Sequence, residues 1–204
     1  MFVLGLTGSI AMGKTTTAKL FADAGVPVHD ADATVHSLYE GEAADAIEAA
    51  FPGTTKGGKV DRKALGARIA GDAAALRRLE AIVHPLVRQA EERFLTQMER
   101  AGATAVVLDI PLLFETAGEK RVDAVVVVTA PADVQRSRTK ERGIAPDQLE
   151  TLLARQVPDD EKRRRADFVV DTSCGIESAR AQVQDILAAI VKMPKRRRTD
   201  SPAR

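Results

Sequence analysis

The sequence contains little cysteine and has no strong excess of charge of either sign. Its 204 residues include one cysteine, Cys174, which excludes an internal disulfide framework and favours a reducing compartment. The formal net charge of +1 excludes a strong overall field that would attract nucleic acid or an anionic membrane. The three histidines, His29, His36 and His84, are too scattered along the chain to predict a metal site. We therefore expect no nucleic-acid partner and no membrane partner.

Long apolar runs are also missing. No stretch approaches the ~18 uninterrupted apolar residues of a membrane-spanning helix, and the first residues lack the basic leader of a secretory signal. These features predict a cytoplasmic protein. The motifs N-K-x-D and D-x-x-G, which GTP-dependent switches normally carry, do not occur, so that class is disfavoured. A length of 204 residues suits one domain with insertions or two small domains.

One short stretch carries a specific motif. Four residues separate Gly8 from Gly13-Lys14-Thr15, which matches G-x-x-x-x-G-K-[ST], the phosphate-binding loop or P-loop. An apolar run of strand type, 2–6, precedes the motif, and a helical pattern follows it. In that setting backbone N–H groups surround phosphate oxygens, Lys14 reaches the β- and γ-phosphates, and the Thr15 hydroxyl ligates Mg²⁺. The motif therefore predicts a nucleoside triphosphate site but does not identify the phosphate acceptor.

Beyond the loop, short apolar runs alternate with helical patterns. Four further strands are predicted, at 26–29, 105–108, 124–128 and 168–170. Three of them are followed by an aspartate, namely Asp30, Asp109 and Asp171. Such alternation is typical of a parallel sheet, so we predict an α/β fold with a five-stranded parallel sheet and helices on both faces. The aspartates then lie at the edge of the sheet where such folds bind ligands.

The long segment between the second and third strands shows several helical patterns. A plain crossover needs one helix, so the excess predicts a small helical subdomain; the alternative is that these helices only thicken the core. Asp61 is placed to cap one of them. Pro85 is placed in the first turn of a long helix.

The C-terminal third is rich in charge. The segment 131–166 has a helical, basic pattern and follows a strand of the phosphate-binding sheet, which favours a basic lid over a merely solvated helix face. A last helix is predicted over 176–191. Residues 193–204 are basic, contain two prolines and lack periodicity, which predicts a disordered tail with a solubilising role rather than nucleic-acid binding.

Five motifs together resemble the dephospho-coenzyme A kinase family. They are TGSIAMGKTT (7–16), HDADATVHSLY (29–39), VHPLV (83–87), DIPLLFE (109–115) and RQVPDDEKRRRADFVVDTS (155–173). They stand in the order seen in that family, and the D-A-D, H-P and P-L-L-F-E motifs are far more specific than the P-loop alone. The resemblance implies a P-loop kinase fold and transfer of the ATP γ-phosphoryl group to the ribose 3′-hydroxyl of dephospho-coenzyme A, with Mg²⁺. A P-loop kinase of another nucleotide or nucleoside is the alternative.

The resemblance also implies how the chain is divided, without indicating an oligomeric state. It implies a P-loop kinase domain over 1–192, made of a core (1–31, 103–135, 166–192), an acceptor-binding helical subdomain (about 32–102) and a lid (about 136–165).

The resemblance implies chemical roles for two carboxylates. Asp32 of D-A-D is implied to orient the acceptor hydroxyl and to accept its proton, with Asp30 as the rival; either could instead cap the following helix. Asp109 resembles a Walker B acid that holds Mg²⁺ through water, or it only caps the turn at Pro111.

The lid departs from the family pattern because Gly143 directly follows Arg142, which makes the lid motif one residue shorter. We favour Arg138 as the arginine that contacts the phosphates, with Arg142 next. His84 and Pro85 are implied to line the acceptor pocket, although a histidine before a proline can be purely structural. The implied ATP-binding residues are Gly8, Ala11, Met12, Gly13, Lys14, Thr15, Thr16 and Arg142, the implied acceptor-binding residues are Thr7, Asp32, His84, Pro85 and Leu112, and the implied catalytic residues are Asp32, Lys14 and Arg138.

Overall fold

The apolar runs of the sequence form the strands of a central sheet. The computed structural model describes residues 1–196. Its strands, in chain order, are β1 (Phe2–Thr7), β2 (Val28–Asp30), β3 (Thr55–Lys56), β4 (Lys59–Val60), β5 (Ala105–Asp109), β6 (Ala124–Thr129) and β7 (Phe168–Asp171). Five of them form one sheet in the order β2-β5-β1-β6-β7, and the pairs β1–β5, β1–β6 and β6–β7 are parallel. The predicted α/β fold with a five-stranded sheet is confirmed.

Helices connect these strands. In chain order the α-helices are α1 (Lys14–Asp23), α2 (Ala31–Tyr39), α3 (Ala44–Ala50), α4 (Arg62–Ile69), α5 (Ala73–Arg100), α6 (Ala132–Glu141), α7 (Pro146–Leu153), α8 (Asp159–Arg165) and α9 (Ile176–Ile190). A short 3₁₀ turn, Gly118–Arg121, follows β5. Within the described part of the chain, no helix combines the length and the apolar character needed to cross a bilayer.

The strand β1 is buried on both faces. On one face Leu4 and Leu6 pack in a cluster with Phe21 of α1 and Ile186 of α9. On the opposite face Val3 has no exposed surface either. Because β1 lies between β5 and β6, the loop that follows β1 emerges between the carboxyl ends of those two strands. The fold thus places the P-loop at the ligand-binding edge of the sheet.

The chain divides into two compact units. Among the described residues, one unit comprises 1–29 and 98–196 and contains the P-loop. The other covers 30–97, where the acceptor-binding subdomain was predicted over about 32–102. Its interior is an apolar cluster that includes Leu38, Ile47, Phe51, Leu65 and Leu79.

Two features of the second unit differ from the sequence prediction. Pro85 does not begin a helix but lies inside α5, which runs unbroken over 28 residues. Proline lacks the N–H that would bond to the carbonyl of Ala81, so the apolar cluster rather than local preference sustains the helix there. The unit also contains a hairpin, β3–β4, that the sequence analysis missed; Gly57 and Gly58 form its turn with φ of +58° and +75°.

The start of the predicted disordered tail also differs. Met193 packs against the core cluster, and the Arg196 N–H donates to Asp123 Oδ1 at 3.1 Å. The Arg196 guanidinium pairs with Asp167 as well. The prediction of disorder from residue 193 is therefore wrong for 193–196, because two carboxylates of the sheet hold this segment. Residues 197–204 lie outside the described part of the chain.

Candidate active site

The conformation of the P-loop requires glycine at two positions. A Cβ at Gly8 would lie 2.6 Å from the carbonyl oxygen of Val128 in β6, closer than any side chain can approach. Gly13 caps the N-terminus of α1 with φ of +95°, in the left-handed region. The loop therefore lies directly against the end of β6 and leads into the positive end of a helix dipole.

Protein donors bind three consecutive carbonyls of the loop. Gln135 Nε2 of α6 donates to the Ile10 oxygen at 2.8 Å, and Thr172 Oγ1 donates to the Met12 oxygen at 2.8 Å. Arg138 Nη1 lies 3.4 Å from the oxygen of Ala11, a residue with φ of +61° that only a supported loop tolerates. These contacts hold the loop in one conformation before any ligand binds.

Lys14 and Asp109 meet at the edge of the sheet. Lys14 Nζ lies 2.5 Å from Asp109 Oδ1, and their side chains are 17% and 4% exposed. Asp109 is the last residue of β5, the strand next to β1, so the topology itself brings this carboxylate to the loop. Thr15 and Thr16 are exposed in the first turn of α1. The arrangement combines a cation, a buried carboxylate and exposed hydroxyls around the loop.

Arg138 is fixed next to the loop by neutral partners. Its Nη1 and Nη2 donate to Thr172 Oγ1 and to the Thr172 carbonyl, each at 2.8 Å. Within residues 1–196 no carboxylate lies in ion-pair contact with its guanidinium. Donation by Ser173, through its hydroxyl and N–H, lowers the pKa of Asp171, and the charges of Arg138 and Arg163 lower it further.

A cavity of about 260 Å³ opens beside the loop. Its lining includes Gly13, Thr16, Arg138, Arg142 and Ile176 at the start of α9. Arg138 is half-buried and Arg142 is exposed. Of the two lid arginines weighed in the sequence analysis, Arg138 is thus the one bonded to the loop, while Arg142 contributes to the cavity wall.

Two of the predicted acceptor residues belong to the unit that carries the P-loop. Thr7 is fully buried, and its hydroxyl donates to the Pro111 oxygen at 3.0 Å. This bond ties the end of β1 to the turn after β5. Leu112, in that turn, is 42% exposed.

The other predicted acceptor residues belong to the second unit. Asp30 caps α2, since its Oδ1 accepts the N–H of Ala33 at 2.9 Å. Asp32 is exposed in the first turn of α2 and forms no side-chain hydrogen bond to another described residue. His84 and Pro85 are exposed on α5. The capping role that the sequence left open between the two aspartates therefore falls to Asp30.

Sequence reasoning missed Gln135 and Thr172. Thr172 directly follows Asp171 at the end of β7, so its position at the ligand-binding edge was a usable signal. Gln135 carries no such signal, because its role depends on how α6 packs beside the loop.

Comparison with known proteins shows which family the chain belongs to. The family model for dephospho-CoA kinase (CoaE) matches residues 2–178. Over 198 residues the chain is 64% identical to the dephospho-CoA kinase of Rhodopseudomonas palustris (strain BisB18), covering 97% of this chain and 100% of that protein. The chain belongs to the dephospho-CoA kinase family. The resemblance that the five motifs carry is confirmed, and with it the predicted enzyme class, an ATP-dependent kinase that acts on an alcohol group.

Solved structures share the fold of this chain. A protein of Thermus thermophilus superimposes with a TM-score of 0.83 at 33% identity, covering 94% of this chain and 98% of that chain. The dephospho-CoA kinase from Campylobacter jejuni gives a TM-score of 0.66 at 23% identity, covering 92% and 96%. The latter likeness shows the shared fold.

Proposed function

We propose that this chain transfers the γ-phosphoryl group of ATP to the ribose 3′-hydroxyl of dephospho-coenzyme A, which yields coenzyme A. The observation that carries the proposal is the dephospho-CoA kinase family match over residues 2–178, in a chain whose P-loop brings Lys14 to the carboxylate of Asp109. A kinase of another nucleotide or nucleoside would use the same loop, but the family match does not favour it.

The loop binds the triphosphate in this proposal. Its backbone N–H groups and the N-terminus of α1 bind the phosphate oxygens, and Lys14 exchanges its contact with Asp109 for the β- and γ-phosphates. The cavity beside Gly13 receives the nucleoside, and its lining includes Arg138, Arg142 and the apolar side chain of Ile176. An apolar wall with cationic neighbours suits a purine base.

The donor set beside the loop fits a magnesium ion. The Asp109 carboxylate and the Thr15 hydroxyl are hard oxygen donors, which Mg²⁺ prefers, with Asp109 acting through water. When bound, the ion neutralises charge on the β- and γ-phosphates.

Asp32 is the proposed base. A ribose hydroxyl is a weak nucleophile, and a carboxylate in hydrogen-bond reach orients it and receives its proton. The exposed, unbonded carboxylate of Asp32 suits this role better than that of Asp30, which caps α2. Arg138 supplies positive charge for the transferring group, since the neutral oxygens of Thr172 hold its guanidinium at the loop.

The remaining assignments are part of the same proposal. The second unit binds the acceptor, with contributions from His84 and Pro85, and Thr7 and Leu112 contribute from the unit of the P-loop. The helical segment 136–165 acts as the lid. The cytoplasm is the proposed location.

The activity is tested by supplying the purified protein with Mg-ATP and defined acceptors. Dephospho-coenzyme A should gain one phosphoryl group by mass and co-elute with coenzyme A, and its 2′-deoxy analogue should also react. The 3′-deoxy analogue should not react, because it lacks the proposed nucleophile. Turnover of a nucleoside such as adenosine, or of another nucleotide, without turnover of dephospho-coenzyme A, would overturn the proposal in favour of the alternative.

The base is tested by a matched pair of substitutions. Asp32→Asn should bind both substrates but lose ~10²-fold or more in single-turnover rate, since an amide cannot take the proton. Asp30→Asn should stay near the wild-type rate, because asparagine caps a helix about as well as aspartate. If Asp30→Asn were the slow variant, the assignment of the base would be wrong.

A further inference from the structure

The helix α8 carries a lysine with no exposed surface. Lys162 is fully buried, and its Nζ lies 3.2 Å from Glu115 Oε1, whose side chain is 15% exposed. Lysine is almost never fully buried unless it is paired. Glu115 Oε1 also accepts the N–H of Val157 at 2.8 Å, so one carboxylate holds both the turn before α8 and the interior of that helix.

The surroundings of this pair are unusually polar for a buried site. Among residues 1–196, the buried side-chain atoms without a hydrogen-bond partner all lie in the segments 115–119 and 156–162: Glu115 Oε2, Glu119 Oε2, Gln156 Oε1, Asp159 Oδ1 and Lys162 Nζ. Lys162 Nζ is among them because its contact with Glu115 is an ion pair without the geometry of a hydrogen bond. Apolar side chains of similar volume would often give equal or greater stability at such a place. In some proteins a buried charge pair instead restricts the alternative arrangements of the elements that it joins.

A continuous chain of hydrogen bonds leads from α8 to Arg138. Asp159 lies three residues before Lys162 in α8, and its Oδ2 accepts the Thr129 hydroxyl at 2.7 Å. The Thr129 carbonyl, at the end of β6, accepts the Thr172 N–H at 3.0 Å. The Oγ1 and carbonyl oxygen of Thr172 in turn accept hydrogen bonds from Nη1 and Nη2 of Arg138, each at 2.8 Å.

The two contacts of α8 fall on either side of the P-loop strand. Asp159 bonds to the end of β6, and Lys162 pairs with Glu115 in the segment after β5. Both β5 and β6 are neighbours of β1 in the sheet. A shift of α8 would therefore move the acceptors that hold the guanidinium of Arg138.

We propose that Lys162 and Glu115 are positioning residues for phosphoryl transfer. The buried pair fixes α8, and α8 fixes Arg138 beside the P-loop through Asp159, Thr129 and Thr172. The inference rests on the proposed function because it assigns Arg138 to the transferring phosphoryl group. Misplacing a group by about an ångström can cost ~10²-fold in rate, so loss of the pair should act on turnover more than on binding.

The test is a double-mutant cycle between Lys162→Met and Arg138→Ala. In the wild-type background Lys162→Met should lower kcat by at least ~10-fold while the KM for ATP stays within about threefold. In the Arg138→Ala background the same change should lower kcat less than about twofold, because the group it positions is gone. A purely structural lysine would give equal factors in both backgrounds, which would overturn the inference.

Two further variants complete the experiment. Arg180→Met removes an ion pair with exposed Glu177 on α9, outside the lid, and should leave kcat unchanged. Glu115→Gln keeps a neutral acceptor for Lys162 and serves for the cycle if Lys162→Met unfolds; all rates are taken well below the measured Tm values. If the wild type phosphorylates only another acceptor, the proposed function fails, and the cycle is run with that acceptor, where equal factors would still refute the positioning role.

Discussion

At the scale of single residues, the P-loop shows why its glycines and its lysine are not exchangeable. Gly8 is required because the Val128 carbonyl occupies the space of a side chain, and Gly13 because its φ is +95°. Lys14 differs from these, since its backbone would tolerate other residues. Its value lies in the ammonium group, which Asp109 holds at the edge of the sheet.

Replacing Lys14 by alanine should abolish most of the activity. The ammonium neutralises charge on the transferring phosphoryl group, so kcat should fall by ~10²-fold or more. The measurement is steady-state phosphorylation of dephospho-coenzyme A at saturating ATP. Lys19→Ala, an exposed lysine of the same helix, is the control and should remain active. A folded Lys14→Ala protein within about threefold of the wild-type rate would contradict the assignment of the loop.

The two lid arginines should differ in kind. Arg138→Ala should lower kcat more than it raises the KM for the acceptor, because its guanidinium is fixed at the loop by Thr172 and meets developing charge. Arg142→Ala should mainly raise the KM for ATP, since this exposed residue only lines the nucleoside cavity. Full kinetics of both variants separate the roles. A normal kcat in Arg138→Ala beside a crippled Arg142→Ala would transfer the catalytic role to Arg142.

At the scale of elements, two helices of the second unit, α4 and α5, begin at aspartates whose carboxyl groups titrate. Asp61 Oδ1 accepts the N–H groups of Lys63 and Ala64 at 3.0 Å, and Asp72 Oδ1 accepts those of Ala74 and Ala75. Donation by Ala64 holds the pKa of Asp61 below its ordinary value of 3.8, and donation by Ala75 does the same for Asp72. A carboxyl whose pKa is lowered on folding stabilises the fold above its unfolded pKa, and this stabilisation is lost as the pH falls.

The double variant Asp61→Asn/Asp72→Asn should therefore be less stable than the wild type only when the aspartates are ionised. Its Tm should be lower by on the order of 1–4 °C at pH 6, and the difference should shrink progressively as the pH falls below 3.8, the ordinary pKa of the carboxyl. Thermal unfolding followed by circular dichroism across this range gives the comparison. Asp45→Asn is the control, since Asp45 lies in the first turn of α3, whose N-cap has no side-chain cap bond. A difference that persists unchanged at pH 3 would refute the titration argument.

The elements also show what the sequence could predict. The P-loop, the five sheet strands and the cap at Asp61 followed from local patterns, and the structure confirms them, because apolar runs and caps depend on neighbouring residues. Local patterns did not predict the position of Pro85 inside a helix or the hairpin β3–β4. The hairpin was readable in principle from Gly57-Gly58, whereas the helix around Pro85 is sustained by distant packing.

The candidate site was predictable to a similar extent. Lys14 and Asp109 were expected at one edge because strand ends meet there. The contacts of Gln135, Thr172 and Lys162 depend on how α6 and α8 pack beside the sheet, and a single sequence carries no local signal for such packing. The order of the strands was likewise not predicted, although it determines which carboxylate reaches the loop.

At the scale of the whole molecule, the two edges of the sheet in the first unit carry residues with different roles. Its carboxyl edge carries the P-loop, while its amino edge carries Asp123 just before β6 and Asp167 just before β7. Asp123 is fully buried and accepts the N–H of Val3 at 2.8 Å as well as that of Arg196. The C-terminal segment 193–196 thus closes the edge of the sheet that takes no part in the proposed reaction.

Ending the chain at Lys192 should therefore cost stability and spare catalysis, whereas ending it at Arg196 should cost neither. The shorter chain loses the packing of Met193 against the core, the N–H that Arg196 gives to buried Asp123, and the ion pair with Asp167. Together these should lower the Tm by about 4 °C or more, since ~1 kcal/mol shifts the Tm of a chain this long by about 2–4 °C. Calorimetry of the two truncations and kcat measured at 20 °C make the comparison, with the 1–196 chain as the matched control. Equal Tm values would mean that the segment contributes nothing to the fold. A fall in kcat of the shorter chain at 20 °C, together with its lower Tm, would mean instead that the two edges of the sheet are coupled. The P-loop lies at the opposite ends of the strands and should not respond to a change at Asp123.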